Sequence, residues 1–238
     1  MRRHFIALSL AMIAWPALAD TTAVYDGPGS FKMTIEIAAN GDLRADVAAK
    51  PGEYFLTRNG EGFVVQPTAR GVVVDRLSDI SAAMSDVIKE KMPQRRDPMP
   101  SLAQRGDFFV EGDVVTVNGR SGTAYYFRGQ SATNGRPPVL VISHDPSLAP
   151  LGQAMARQNE MSNTLSAGLM GGKVPFADEM DSILKSGAPL AVGPAHLSTV
   201  STDPIPASHF ALPSLPEARA EIRARLEATS TDHSVVGF

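Results

Sequence analysis

Phe31 to Arg76 constrains the fold more than any other stretch. Phe31, Met33, Ile35 and Ile37 alternate with Lys32, Thr34, Glu36 and Ala38. After Asn40-Gly41, Leu43, Ala45 and Val47 alternate with Arg44, Asp46 and Ala48. Pro51-Gly52 punctuates, and Tyr54–Arg58, Phe63–Gln66 and Val72–Asp75 follow, the first two separated by Asn59-Gly60. A period of two gives a strand one buried and one wet face. Asn-Gly supplies the positive φ that a tight type I′ hairpin turn requires. The stretch therefore reads as a series of hairpins. The face carrying Met33, Ile35, Ile37, Leu43 and Val47 is expected to look into the core. Between Tyr54 and Gln66 the inward face stays open, because Tyr54 and Leu56 compete with Phe55, and Phe63 and Val65 compete with Val64.

The N-terminus reads as a separate object. Arg2, Arg3 and His4 precede an apolar run from Phe5 to Ala14, and Ala17-Leu18-Ala19 forms a small-residue cleavage site before Asp20. This is the layout of a secretory signal, and the run is too short to span a bilayer. The expectation is cleavage after residue 19 and a periplasmic or secreted mature chain. The 22 basic residues less Arg2 and Arg3, against 25 acidic ones, leave a net charge of about −5. Such a balance argues against nucleic acid as a partner. The chain has no cysteine, so an exported form must hold together by its core alone.

Asp20 to Ser30 reads as a lead-in, with Gly27-Pro28-Gly29 as a break. After Asp75 the period changes. Leu77, Ile80, Met84, Val87 and Ile88 share one helical face, which predicts a helix over 78–92. Pro93 to Gln104 is loop-like and could form a flap. Strands return at Phe108–Val110, Val114–Val117 and Thr123–Arg128, separated by Glu111-Gly112-Asp113 and Asn118-Gly119. Val139–Ser143 is unbroken and apolar up to its serine, as in a strand buried on both faces. A helix over 150–169 has Leu151, Met155, Leu165 and Leu169 on one stripe, interrupted in the middle by the polar Gln158 and Ser162. Phe176, Met180, Ile183 and Leu184 mark a shorter helix, with Gly187 as its stop signal. Short strands are expected at 189–192, 196–201 and 208–212. Ser214-Leu215-Pro216-Glu217 has the form of a capping box opening a charged surface helix. Hairpin connections make the sheet antiparallel, and helices gathered on one face make the domain α+β.

Chemistry is sparse. No H-E-x-x-H, G-x-S-x-G or complete phosphate loop occurs. His144 with Asp145, after the buried strand, is the best acid/base candidate, and a loop-capping pair before Pro146 is the plainer account. Methionine is frequent at ten, with Met84, Met92, Met155, Met161, Met170 and Met180 in or beside helices. Methionine fills irregular cores and also lines adaptable binding surfaces.

In this order the chain resembles the periplasmic lipoprotein-carrier (LolA-like) superfamily and related exported families. The resemblance rests on the signal segment, Gly71-Val72-Val73-Val74-Asp75 followed by the helix from Leu77, Ser143-His144-Asp145-Pro146-Ser147-Leu148-Ala149-Pro150 leading into a helix, and the closing Phe210-Ala211-Leu212-Pro213. It implies a strongly curved, open half-barrel of antiparallel strands with helices on the concave face. The chain then divides into a signal segment (1–19), one half-barrel domain (20–213), and a C-terminal surface helix with tail (214–238). In relatives the gap between sheet and helices accepts acyl chains. Here the corresponding apolar candidates are Met33, Ile35, Ile37, Leu43, Val47, Met84, Ile88, Tyr125, Phe127, Met155, Leu165, Phe176 and Met180. The expected function is non-catalytic, without metal or cofactor: binding of an acyl chain, a lipoprotein or another apolar ligand. The alternative is an envelope protein-interaction module with a filled core. A hydrolase using His144 comes third.

Overall fold

A computed structural model describes residues 19–91, 108–131, 135–170 and 176–231. Residues 1–18 of the expected signal, the loop 93–104 and Met92 lie outside these residues. The chain begins with six strands: β1 (Thr21–Asp26), β2 (Lys32–Ile37), β3 (Leu43–Val47), β4 (Tyr54–Arg58), β5 (Glu61–Thr68) and β6 (Gly71–Arg76). Helix α1 (Leu77–Lys91) follows, then β7 (Phe109–Val117), β8 (Arg120–Phe127) and β9 (Leu140–Ser143). Helices α2 (Ala149–Met170) and α3 (Ala177–Ser186) precede β10 (Ala188–Val192) and β11 (Ala195–Ser201), and α4 (Arg219–Thr231) comes last.

The strands form one open sheet of eleven, ordered β6-β5-β4-β3-β2-β1-β11-β10-β9-β8-β7, antiparallel throughout. The architecture is α+β, a curved open sheet with helices packed on it. In a flat sheet β8 and β11 would lie about 14 Å apart. Yet Asn118, in the β7–β8 turn, donates from Nδ2 to the Leu197 carbonyl on β11 at 2.8 Å. The sheet bends enough for the hairpin tip to reach back over β9 and β10.

Asp20 to Ser30 is not a lead-in. Thr21–Asp26 is the central strand, with Thr21, Ala23 and Tyr25 buried in alternation. Small residues and threonines keep its hydropathy low, which hides it in the sequence. The Asn59-Gly60 and Asn118-Gly119 turns have φ of 52° and 79°, and 47° and 78°, as the hairpin reading requires. Glu111-Gly112-Asp113 is not a break between strands. It is a bulge within one continuous β7. The stretch 208–212 is not a strand, since Ala207–Phe210 is a 3-10 turn. Helix α4 starts at Arg219, beyond the proposed capping box. The Glu217 N–H is used instead on the Val74 carbonyl of edge strand β6 (2.8 Å), and Glu221 Oε2 accepts the Ala218 N–H at 3.1 Å.

The competing faces of β4 and β5 are both explained. Register places Ala23, Ile35, Ala45, Phe55, Val64 and Asp75 in one row across β1–β6. This row faces the helices. Ile35, Ala45 and their neighbours Ile37 and Leu43 share a cluster with Leu151 and Ala154 of α2, and Phe55 packs against it. The opposite face carries Leu56, Phe63, Val65 and Val74, and it is covered by Phe210 with Ile205 and Leu212 from the segment after β11. Both faces are apolar because both are covered.

Gly187 ends α3 for a different reason from the one expected. Its φ is 178°, an extended value rather than a left-handed cap. A Cβ there would sit 2.3 Å from the Ser143 carbonyl oxygen, and one on Gly152 would sit 2.5 Å from the Gly187 oxygen. The first turn of α2 thus approaches β9 and β10 at backbone distance. Gly187→Ala should destabilise the fold by about 3 kcal/mol, measured by urea unfolding, because backbone cannot yield as a flexible side chain does.

Tyr25 is fully buried and donates from its hydroxyl to the Pro189 carbonyl at 2.7 Å, and burial pushes its phenol well above the usual value. Below about pH 10 the phenol is neutral both folded and unfolded, so its contribution is complete. Above that pH the unfolded chain loses the proton first, and stability falls. Urea midpoints between about pH 8 and pH 11 should drop on the alkaline side, and Tyr25→Phe should flatten that drop.

Candidate functional site

The apolar candidates do not converge on one cleft. Ile35, Ile37 and Leu43 are fully buried in the main cluster with Leu148, Leu151 and Ala154. Met33 and Met155 are half-buried against the same cluster, and Val47 is half-buried at the end of β3. Tyr125, Met155 and Met180 pack against a second cluster of Phe109, Leu140, Ile142, Ala156, Ile183 and Leu184, under α2 and α3. Met84 and Ile88 on α1 and Leu165 on α2 are half-buried where those helices pass each other. Phe127 and Phe176 lie at the rim, 40% and 38% exposed. Phe127 stacks on Phe109 with ring centres 5.4 Å apart, and Phe176 meets Phe108 and Phe109 edge-on at 6.2 and 6.3 Å. Glu179, in the first turn of α3, fixes this corner by accepting the Phe108 and Phe109 N–H groups at 2.6 and 3.0 Å.

Between sheet and helices the fit is close. A Cβ on Gly62 of β5 would lie 2.6 Å from Leu77 Cδ1 and 3.0 Å from Met161 Sδ. The side chains of Leu77 and Met161 thus occupy the space that a side chain at position 62 would take. Leu151 and Ala154 of α2 are 0% and 1% exposed against Ala23, Ile35 and Leu190. Among the described residues, open volume is found in surface grooves. One of them, of about 770 Å³, runs between the β7–β8 turn and the residues that leave β9. Arg120, Ser121, Thr123, Ser143, His144 and Asp145 line it.

The chain leaves the sheet at Ser143, whose hydroxyl accepts the Asp145 N–H at 3.3 Å. Asp145 Oδ1 accepts the Ser147 N–H at 2.9 Å and so caps the 3-10 turn Pro146–Leu148. The Ser147 hydroxyl and N–H, aided by Arg120 at 3.5 Å, hold the Asp145 carboxyl below its usual range. His144 Nδ1 lies 2.8 Å from the Ser186 carbonyl. A carbonyl only accepts, so Nδ1 carries the proton and Nε2 is the basic nitrogen of the neutral ring. That is the orientation a general base needs. Among the described residues, however, no hydroxyl is hydrogen-bonded to Nε2, and the serine next to it in sequence is committed to the backbone. The pair caps a loop, and the groove can offer a ligand the Arg120 guanidinium, the imidazole and two exposed or half-exposed hydroxyls, Ser121 and Thr123.

Of the remaining histidines, His209 Nδ1 sits 3.0 Å from Glu36, and His196 is half-buried on β11. Among the described residues no group of three or more acidic or histidine side chains could hold a metal, and no helix is long and apolar enough to cross a membrane. The sequence reading missed the Asp75–Arg225 pair. Asp75 is 2% exposed, and its carboxylate accepts from Gln66 Nε2 at 3.1 Å and from Arg225. A carboxylate ending an apolar strand, with an arginine-rich helix later in the chain, was the available signal.

Comparison with protein-family models, with curated proteins and with solved structures found no match. The class is set by the fold alone: an open antiparallel half-barrel with an apolar sheet–helix interface and polar surface grooves.

Leu151→Ala removes the side chain at the centre of that interface. It should cost about 2–5 kcal/mol in a thermal or urea melt, the range for cavities that cannot collapse.

Proposed function

We propose that this is an exported, non-catalytic module of the cell envelope that binds a protein partner through its surface, with its half-barrel filled by its own core. The observation that carries this reading is the close fit between sheet and helices. Ile35 and Ala45 share one buried cluster with Leu151 and Ala154, Phe55 packs against that cluster, and Leu77 and Met161 close over Gly62. An acyl chain in that space would have to displace side chains that already bury one another. The rim offers what a partner can grip: the Phe127–Phe176 corner, the Arg120–His144 groove and the charged helix α4.

A second reading, carriage of an acyl chain or lipoprotein, draws on the half-buried Met84, Ile88 and Leu165 between α1 and α2 and on the resemblance to lipoprotein carriers. One measurement separates the two. Protein purified from its native host, after export, is weighed intact by native mass spectrometry and its extract analysed for lipid. The expected result is the bare chain mass and no uptake of a fluorescent fatty acid. A stoichiometric acyl chain, or saturable uptake, would overturn the first reading in favour of the second.

A further inference from the structure

We infer that the seat of α4 is an exchangeable helix-binding site, and that its external partner is an arginine-bearing amphipathic helix. The inference rests on the interaction-module reading and names the partner's chemistry. Helix α4 is held mainly by charge. Arg219 pairs with Asp86, and Arg223 with Glu90, both across to α1. Arg225 pairs with Asp75 on β6 and with Glu217 at 2.6 Å. Within α4 only Ile222 is fully buried among the side chains described. Arg219 and Arg223 are 49% and 37% exposed, so their pairs are open to screening by salt.

Two further features show that the seat accommodates more than α4 supplies. Asp75 is almost fully buried, and its Oδ1 has no hydrogen-bond partner although Oδ2 has two. A gap of about 550 Å³ lies between α4 and the β5–β6 turn, where Val73, Ala224 and Ala228 form an apolar floor beside the charged Arg70, Glu221 and Arg225. Alanines face this gap where larger apolar side chains would fit. The resident helix thus pairs the outer carboxylates of the seat and leaves the gap beside Ala224 and Ala228 unfilled. A competing helix with arginines at the same spacing, and leucine-sized residues at those two positions, would keep the pairs and fill the gap. The segment between β11 and α4 carries Pro204, Pro206, Pro213 and Pro216, and beyond its 3-10 turn has no helix or strand of its own to break when α4 leaves.

The test uses the full mature chain and a fluorescent peptide of residues 217–231 carrying Ala224→Leu and Ala228→Leu. Fluorescence anisotropy should show binding that weakens at least about tenfold between about 0.05 M and 0.5 M salt. Arg219→Glu with Arg223→Glu in the chain should loosen α4, seen as faster amide exchange in α4 alone, and tighten peptide binding about tenfold by removing the internal competitor. Asp86→Arg with Glu90→Arg should abolish peptide binding. Combining the four substitutions should restore slow exchange in α4, which also shows that the charge-reversed chain folds. No peptide binding to a chain whose α4 exchanges freely would overturn the inference. So would binding indifferent to salt and to Asp86→Arg/Glu90→Arg, or a loosened chain that forms dimers by trading α4 between copies. An acyl chain in the interior would overturn the interaction-module reading while leaving a positive peptide result standing, so the two failures are distinguishable.

Discussion

The pairing of β1 with β11 makes one sheet out of two. On one side of it β1–β6 run in sequence order, each strand beside the next; on the other, β7–β11 do the same. Only the ladder from Thr22–Ser201 to Asp26–His196 joins these halves within the sheet. Side chains reinforce it over very long separations in the chain. The Tyr25 hydroxyl reaches the Pro189 carbonyl, and the Ser198 hydroxyl reaches the Val24 carbonyl at 3.1 Å. The Asp20 carboxylate accepts the Ala39 N–H at 2.9 Å and the Ile205 N–H at 2.8 Å. The residue that directly follows the expected cleavage site is thus a clamp between the start, the first hairpin and the end of the fold. Such non-local closure comes late and slowly, because its loop entropy must be met before its contacts form.

Once the sheet is continuous, the placement of the helices follows. Helix α1 emerges from the edge strand β6, and α2 with α3 are inserted between neighbouring strands β9 and β10. Both excursions return to the same curved face, where α2 touches β1, β2 and β10 together. The Ser143–Gly187–Gly152 stack fixes where α2 begins, at a distance that only glycine allows. On the other face the segment after β11 crosses β3–β6 and ends by giving the Glu217 N–H to the β6 edge. That edge is therefore guarded. At the other end of the sheet the bulge at Glu111–Val114 and the exposed Glu111 and Asp113 discourage strand addition to β7 by shape and charge.

The hairpins of the first meander, the all-buried β9 and the polar-centred α2 were legible because each depends on local pattern: alternation, Asn-Gly turns, an unbroken apolar run. What escaped depends on distant partners. Thr21-Thr22-Ala23-Val24 carries little hydropathy, and it is central only because β11 arrives from the far end of the chain. Glycine at 187 looks like a helix stop in one dimension and proves to be a contact in three. The two-faced apolarity of Tyr54–Leu56 and Phe63–Val65 could not be resolved without knowing that Phe210 covers the second face. The candidate cleft residues were chosen as apolar positions of strands and helices, and the structure spreads them over two clusters, the α1 and α2 helices and the Phe127–Phe176 rim. Their dispersal into separate clusters is a matter of packing, which no periodicity encodes.

The packed interior of the half-barrel and its boundary are held by different forces. The boundary here is uneven in how it is held. The centre is fixed by backbone-distance contacts and by large buried side chains such as Tyr25, Leu56 and Leu190. Helix α4 is fixed chiefly by guanidinium–carboxylate pairs around one buried carboxylate, Asp75. Hydrophobic burial is insensitive to ionic strength on the scale that screens surface charge, so these two parts respond differently to the same surroundings. The part of this fold whose occupancy can change without disturbing the sheet is then the arginine helix and the acidic seat beneath it.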